Sequence, residues 1–113
     1  MRTVTLEVSS RERINKRFLQ AFEGEPQGEF ISFESPAILF KVLSGKRWEL
    51  LKMMTGAGPM KIREAARLAG RDVKAIHRDV HALLAAGLLQ KTDDERIVFP
   101  FDAVHVDFML KAA

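Results

Sequence analysis

The chain contains no cysteine. Disulfide bonds, thiolate metal sites and cysteine nucleophiles are therefore excluded, and the composition suits a cytoplasmic protein. No apolar run approaches the roughly 20 residues that a membrane-spanning helix needs. Charged and polar side chains interrupt the first eight residues, MRTVTLEV, unlike those of a secretory signal. We therefore expect a cytoplasmic protein whose 113 residues are enough to bury a core.

The sequence also lacks the patterns that are typical of catalysis. The stretch from Gly56 to Gly58 has neither the following lysine nor the strand-to-helix context of a phosphate-binding loop. The serine and histidine residues are too scattered to suggest a catalytic triad. We therefore expect no enzyme activity and no cofactor.

Positive charge is concentrated in one part of the chain. Residues 1–43 are neutral overall, residues 44–91 hold ten Lys/Arg against four Asp/Glu, and residues 92–113 hold two against five. This distribution favours a polyanionic partner for the middle segment. An ordinary solvated helix surface remains the alternative on charge alone.

The basic segment carries the clearest structural pattern. Apolar spacing predicts a short helix over residues 61–69, a turn at Gly70 and a longer helix over residues 72–86. Asp72 is a suitable N-cap for the longer helix, and Gly87 lies where a left-handed residue ends one. This order predicts a helix-turn-helix whose second helix has the length and charge to enter a DNA major groove.

Two short strands are predicted after the second helix, over residues 88–91 and 97–99, with an acidic turn between them. Such a hairpin is the wing of a winged helix. The turn contains Asp93, Asp94 and Glu95, which phosphate groups would repel. We therefore expect the tip of the hairpin to stay out of the minor groove.

The candidate DNA-binding residues follow from the spacing on the two helices. In helix 72–86 the apolar stripe consists of Ile76, Val80, Leu83 and Leu84, and the candidates lie mostly on the opposite side or just before the helix. The candidates for groove contacts are Arg71, Lys74 and Arg78. Ala75, a small residue near the end of the helix that comes closest to base edges, and His81, on the same side as Lys74 and Arg78, are further DNA-binding candidates. The candidates for phosphate contacts from helix 61–69 are Lys61, Arg63 and Arg67.

His77 and His81 are four residues apart, a spacing that can ligate a metal ion. No cysteine or well-placed carboxylate completes such a site, and Asp79 is expected to point elsewhere on the helix. The simpler interpretation is a partly buried His77 and an exposed His81. We expect no metal site.

The N-terminal third has its own pattern. Alternating side chains predict a half-buried strand over residues 3–8, with Glu7 on its exposed side. Ser9 or Ser10 can cap an amphipathic helix over residues 11–23 with Ile14, Phe18, Ala21 and Phe22 on its apolar stripe. We interpret the Phe18 and Phe22 face as core, with a docking surface as the alternative. A loop over 24–28 and a short strand over 30–33 follow.

Two further helices are predicted before the basic segment. Ser35 caps the first, which is apolar nearly all round up to Leu43 and should be buried. Ser44 caps the second, with Trp48 expected inward and Arg47 outward. Lys46 and Arg47 are further candidates for phosphate contacts.

The tail over residues 103–110 alternates apolar and polar side chains and is interpreted as a strand, with a helix as the alternative. One compact winged helix does not obviously cover apolar alternating segments at both ends of the chain. These segments could pair with each other or across a two-fold axis. We therefore expect a homodimer.

Five segments resemble a family of small prokaryotic winged helix-turn-helix regulators of the MarR-like type. They are residues 32–36 (SFESP), 39–43 (LFKVL), 46–51 (KRWELL), 70–80 (GRDVKAIHRDV) and 99–102 (FPFD). The resemblance spans about residues 30–108. It implies that residues 72–86 form the recognition helix and 88–99 the wing. It also implies an autorepressor, in some members the antitoxin of a toxin–antitoxin pair.

The chain departs from the family pattern in three places. Gly45 stands where proline is common, Lys61 stands where serine is common, and the hairpin tip is acidic and has no glycine.

Together these observations predict an α+β fold, namely a winged helix-turn-helix domain over residues 35–113 that ends in a strand, with a strand–helix extension over residues 1–34. The expected function is sequence-specific transcriptional regulation, with duplex DNA, a second copy of the chain and a toxin protein as partners. A DNA-binding protein of this kind is expected to be nucleoid-associated. A protein-interaction module and an RNA-binding winged helix are the alternatives.

The acidic hairpin tip leads to a first prediction. Because its carboxylates repel phosphate, the double variant Asp93→Ala/Asp94→Ala should bind DNA as tightly as the unchanged protein, or more tightly. Fluorescence anisotropy with a labelled duplex measures this. Weaker binding by the variant would show that the tip contacts DNA favourably.

Overall fold

The computed structural model describes residues 2–9, 11–22 and 28–110, without the side chains of residues 11, 17, 21 and 22. The fold of these residues is α+β. The elements in chain order are β1 (Thr3–Val8), α1 (Arg11–Phe22), β2 (Glu29–Phe33), α2 (Pro36–Val42), α3 (Gly45–Met54), α4 (Ile62–Ala69), α5 (Val73–Ala85), β3 (Gln90–Lys91), β4 (Ile97–Val98) and β5 (Ala103–Asp107).

The two ends of the chain meet in one sheet. Its strand order is β2-β1-β5, and both pairings are parallel, with Leu6 of β1 opposite Ile31 of β2 and Val106 of β5. The sequence left open whether the two terminal strands pair with each other or across a two-fold axis, and in the structure they pair with each other within the chain. The tail is a strand rather than a helix, and it joins the C-terminal part of the chain to the segment 1–34.

Arg2 ties the beginnings of these three strands together. Its backbone N–H donates to the Asp102 carboxylate at 2.7 Å, and its guanidinium lies 2.7 Å from the Glu29 carboxylate. The same guanidinium lies over the Phe101 ring, 4.8 Å from the ring centroid. Arg2 thus links β1 to the beginnings of β2 and β5.

Glu7 is buried, so its predicted position on an exposed side of β1 is wrong. β1 is the central strand, and its side chains therefore have neighbours on both flanks. Ser32 of β2 lies opposite Glu7 in the register, and its hydroxyl donates to the Glu7 carboxylate at 2.9 Å.

Side-chain caps begin three of the helices, as predicted. The Ser35 hydroxyl accepts a hydrogen bond from the Ile38 amide, and the Ser44 hydroxyl accepts one from the Arg47 amide. Asp72 does the same for α5 through the Lys74 amide. Each cap satisfies a backbone donor that the first helical turn leaves free.

The predicted burial of α2 and of Trp48 is wrong. Only Leu39 of α2 is buried, while Ile38 and Phe40 are 45% and 56% exposed, because this short helix lies at the rim of the core with one side inward. In α3 the buried residues include Leu50 and Leu51, and Trp48 is 38% exposed.

α1 differs from its predicted packing. Ile14 is half-buried, but Phe18 on the same predicted stripe is 70% exposed, so this ring is not a core residue. The cap expected from Ser10, the side chains of Ala21 and Phe22, and most of the loop 24–28 lie outside the described residues.

The main core forms around α5. Its members from α3, α5 and the chain after α5 are fully or nearly fully buried, namely Leu50, Leu51, Met54, Ile76, Val80, Leu83, Leu88 and Leu89. Val4 and Leu6 of β1 belong to the same cluster. The core therefore spans the sheet and the helices.

The hairpin of β3 and β4 is antiparallel, as predicted, and a residue before α4 also pairs with it. The Met60 and Ile97 backbones exchange two hydrogen bonds of 2.9 and 2.8 Å. This contact holds the hairpin against the beginning of α4. Among the described residues, no helix combines the length and the apolar character needed to cross a bilayer.

The shared core leads to a stability prediction. Leu6→Ala should lower the free energy of unfolding by about 2–5 kcal/mol, because it leaves a cavity at a fully buried site in the central strand. Urea denaturation measures the change. Leu19→Ala is the matched control, because Leu19 is 60% exposed, and its effect should stay within about 0.5 kcal/mol. Equal effects of the two variants would contradict the placement of β1 in the core.

Candidate nucleic-acid interface

The buried and the charged side chains of α5 lie on different sides of the helix. Ile76, Val80 and Leu83 are buried without exposed area, and Leu84 is half-buried beside them. Lys74, Arg78 and His81 are exposed on the other side of the helix. Because a helix repeats every 3.6 residues, the spacings of four and three align these side chains along one face.

A tight turn places α4 against α5. Gly70 ends α4 in the left-handed conformation, with φ of 63°, and the Arg71 amide donates to the Ala66 carbonyl at 3.1 Å. Glycine accepts this conformation without the steric cost of a Cβ atom. The turn predicted at Gly70 is thus confirmed, and it sets the direction of α5 relative to α4.

The Asp79 carboxylate holds two arginines. Its Oδ1 accepts a hydrogen bond from Arg47 Nε at 3.1 Å, and its Oδ2 accepts one from Arg71 Nη2 at 2.8 Å. Arg47 Nη1 also donates to the carbonyls of Lys41 and Val42 at the end of α2. This cluster of Arg47, Arg71 and Asp79 joins α2, α3, the turn after α4, and α5.

The cluster corrects two predictions. Asp79 belongs to the buried side of α5 rather than pointing away from it, and Arg47 points inward rather than outward. The sequence contained a signal, because Asp79 lies at helical spacing from Ile76 and Leu83 and is therefore on the apolar stripe. A carboxylate at such a position requires charged partners, since an unpaired buried charge is costly.

Opposing effects act on the pKa of Asp79. Burial favours the neutral acid and would raise the pKa, but the hydrogen bonds from Arg71 and Arg47 outweigh it. The pKa of Asp79 therefore lies below the ordinary value of an aspartate. The carboxylate is charged at neutral pH, when it holds both arginines.

The structure places the other predicted site residues as follows. Lys61, Arg63 and Arg67 are exposed on or just before α4, and Lys61 is the N-cap residue without a side-chain cap. Ala75 is half-buried. Arg71 is also half-buried, and its guanidinium is bound to Asp79 rather than free in solvent.

His77 and His81 form an exposed pair. Their Nε2 atoms are 3.1 Å apart, and their ring centroids are 4.2 Å apart. The predicted partial burial of His77 is wrong because Asp79, and not His77, borders the buried stripe. Within the described part of the chain, no group of three His, Cys, Asp or Glu side chains is arranged to hold a metal ion.

At the tip of the hairpin between β3 and β4, an aspartate pairs with the neighbouring arginine. Arg96 Nε lies 3.0 Å from the Asp94 carboxylate, and the Thr92 hydroxyl donates to the same carboxylate. The hydrogen bond from Thr92 lowers the pKa of Asp94, and the charge of Arg96 lowers it further. Asp93 and Glu95 remain exposed beside it, so the tip is negatively charged.

A family model described as HVO_A0114 matches residues 42–106. The match begins at the end of α2 and reaches β5, so it includes the Asp79 cluster, α5 and the hairpin. No curated protein matches the chain. No solved structure matches it either.

The Asp79 cluster leads to a prediction about stability and pH. Asp79→Asn should lower the free energy of unfolding at pH 7 by about 3 kcal/mol, because two partly buried guanidinium groups lose their counter-charge. The folded-state pKa of Asp79 is depressed, so its contribution is complete above the unfolded value of about 4 and is lost as the pH falls through the folded value. The difference between the two proteins should therefore shrink below about pH 4.

Asp93→Asn is the control for this measurement. It removes an equal charge from an exposed side chain of the hairpin, and its effect should stay within about 0.5 kcal/mol. Urea denaturation between pH 3 and pH 7 measures both variants. A loss for Asp79→Asn that does not depend on pH, or no loss at all, would contradict the assigned charge interaction.

Proposed function

We propose that this chain, which belongs to the HVO_A0114 family, is a winged helix-turn-helix protein that binds duplex DNA through the exposed face of α5. The observation that carries the proposal is the alignment of Lys74, Arg78 and His81 along the solvent side of a helix that is anchored on its other side. Such a helix presents cations and hydrogen-bond donors on a rigid support.

The dimensions of α5 suit a major groove. Its 13 residues extend over about 20 Å, and a groove about 12 Å wide accepts a helix of this kind. Lys74 and Arg78 can donate to guanine O6 and N7 or to phosphate oxygens. Val73, the first helical residue, is 43% exposed and suits contact with a thymine methyl group, a role that the sequence analysis missed.

We assign different roles to Arg71, which precedes α5, and Arg78, which lies in the middle of it. Arg78 is exposed and available to a ligand, whereas Arg71 Nη2 is already 2.8 Å from Asp79. Using Arg71 for a base contact would remove a counter-charge from a buried carboxylate, which is costly. Arg71 therefore serves as a positioning residue that holds the turn after α4 against the middle of α5.

α4 provides the contacts that are independent of sequence. Arg63 and Arg67 are exposed on it and Lys61 is exposed just before it, and their charges favour phosphates on the strands that border the groove. Phosphates repel the negative charges of the hairpin tip, so the tip stays away from the DNA backbone. In this mode the helices bind DNA and the tip does not.

The biological role that fits this binding is repression of the chain's own operon, as the MarR-like resemblance implies. A dimer would recognise a nearly palindromic site with half-sites about 10 base pairs apart, or a multiple of that distance. An antitoxin role would add a toxin protein as a partner. The interactions that bind DNA would be the same in either case.

Binding to DNA tests the proposal directly. Anisotropy titrations compare duplex from upstream of the gene with a scrambled duplex over a salt series. Lys74→Ala/Arg78→Ala should weaken binding to the upstream duplex at least tenfold, because a good base contact contributes about 1–3 kcal/mol. Variants of Lys61 or Arg63 should weaken binding to both duplexes and reduce the salt dependence by about one ion per contact.

Lys41→Ala/Lys52→Ala is the matched control, because it removes the same charge from exposed positions on α2 and α3. It should bind nearly as the unchanged protein does. Equal binding to both duplexes would reduce the proposal to phosphate attraction, and preference for duplex RNA would favour the RNA-binding alternative. Absence of binding to any nucleic acid would overturn the proposal in favour of a protein-interaction module.

A further inference from the structure

β5 has an open edge. It pairs with β1 on one side, and no strand among residues 2–9, 11–22 and 28–110 pairs with its other side. The N–H and C=O groups that point outward from this edge are a template for a further strand. An edge of this kind is normally covered or protected in a stable protein.

Apolar side chains surround this edge. Phe40 and Trp48 are 56% and 38% exposed, and Val106 and Phe108 are 37% and 36% exposed. The Phe40 and Phe108 rings meet edge to face with centroids 5.6 Å apart. A groove of about 330 Å³ between α2, α3 and β5 is lined in part by Phe40, Trp48 and Val106. These exposed apolar side chains and the groove suit contact with an apolar partner.

We propose that a second copy of the chain covers this surface by pairing its β5 antiparallel with this β5, about a two-fold axis at Val106. About a two-fold axis, a contact between one residue and a second residue of the other copy occurs twice, and only a residue on the axis meets its own copy. Two parallel three-stranded sheets then join into one sheet of six strands, with the order β2-β1-β5-β5-β1-β2.

Hydrogen-bond complementarity selects this register. With the axis at Val106, His105 of each copy lies opposite Asp107 of the other, so an imidazole faces a carboxylate twice. With the axis at His105, that residue would lie opposite itself and Asp107 opposite Ala103. The axis at Val106 is the register in which the imidazole of His105 can donate a hydrogen bond to the carboxylate of Asp107 at both positions.

The same register also brings the apolar side chains of the two β5 strands together. Side chains alternate along a strand, so Val104, Val106 and Phe108 share one face, next to Phe40. Pairing about Val106 places Val106 against its own copy and Val104 against Phe108. The partner's strand therefore lies across the apolar groove and removes its exposed side chains from water.

The other open edge of the sheet does not offer this complementarity. β2 and the residues next to it, 28–34, carry Glu29 and Glu34 and no cation. Glu29 is already bound to Arg2. No antiparallel register of β2 with its own copy places opposite charges together, so β5 is the edge that suits self-association.

Cysteine cross-linking tests the register, because the unchanged chain has no cysteine. Val106→Cys should form a disulfide-linked dimer under mild oxidation, because directly opposite residues in antiparallel strands have Cα atoms about 4.5–5.5 Å apart. Val104→Cys is the control on the same face. Its two copies would be four residues apart along the strands, about 13 Å, and should not cross-link. Cross-linking of Val104→Cys but not of Val106→Cys would overturn the register.

A charge exchange tests the interface in solution. Sedimentation velocity of the full chain should show a dimer. His105→Asp should weaken it at least tenfold by placing two carboxylates opposite each other, and His105→Asp/Asp107→His should restore it. Asn15→Asp, an exposed position on α1 with the same change in charge, should leave the dimer intact. Circular dichroism establishes that each variant is folded.

A monomeric unchanged chain at every concentration would overturn the proposal, as would a dimer that is insensitive to His105→Asp. Failure of the charge exchange to restore the dimer in a folded protein would do the same. None of these measurements involves nucleic acid. These measurements can therefore contradict the proposed interface without contradicting DNA binding by α5. The DNA titrations can likewise contradict DNA binding without contradicting the interface.

Discussion

The arrangement of the helices depends on the ion pairs that the Asp79 carboxylate forms with two arginines. It lies on the buried side of α5 and accepts hydrogen bonds from Arg47 of α3 and from Arg71 in the turn after α4. Arg47 in turn donates to the last carbonyls of α2. A charged group in this position costs desolvation energy that the two arginines offset, and its hydrogen bonds require specific geometry. The direction of α5 is thereby tied to three other parts of the chain.

This cluster explains how one helix combines a core stripe with a charged face. Ile76, Val80 and Leu83 attach α5 to the core, and the ion pairs limit its rotation about its own axis. Lys74 and Arg78 then project from a support that hydrophobic packing and ion pairs both hold. In the acidic hairpin tip, Asp94 pairs with Arg96.

The sheet links the helical part of the chain to its two ends. β1 contributes Val4 and Leu6 to the same core as α5, and Arg2 binds the beginnings of β2 and β5. Parallel pairing of β1 with β5 leaves the C-terminal strand at an edge of the sheet, next to the apolar rim of α2 and α3. The face proposed to bind DNA and the face proposed to bind a second copy are thus built on different elements.

Local sequence signals were sufficient for much of the fold. The caps at Ser35, Ser44 and Asp72, the left-handed turn at Gly70 and the apolar stripe of α5 depend on residues close in the chain, so they could be predicted to within one or two residues. The exposure of Lys74 and Arg78 followed from the same periodicity. These features were determined by the sequence because their physical causes are short-range.

Tertiary structure decided the contacts between distant residues. Neither the pairing of β1 with β5 nor the meeting of Arg47 with Asp79 leaves a periodic signal, because each joins residues far apart in the chain. Burial of Glu7 and exposure of Phe18 and Trp48 likewise depended on which elements became neighbours. An amphipathic pattern shows that a side chain can be buried, whereas only the packed fold determines which side chains have a partner to bury them.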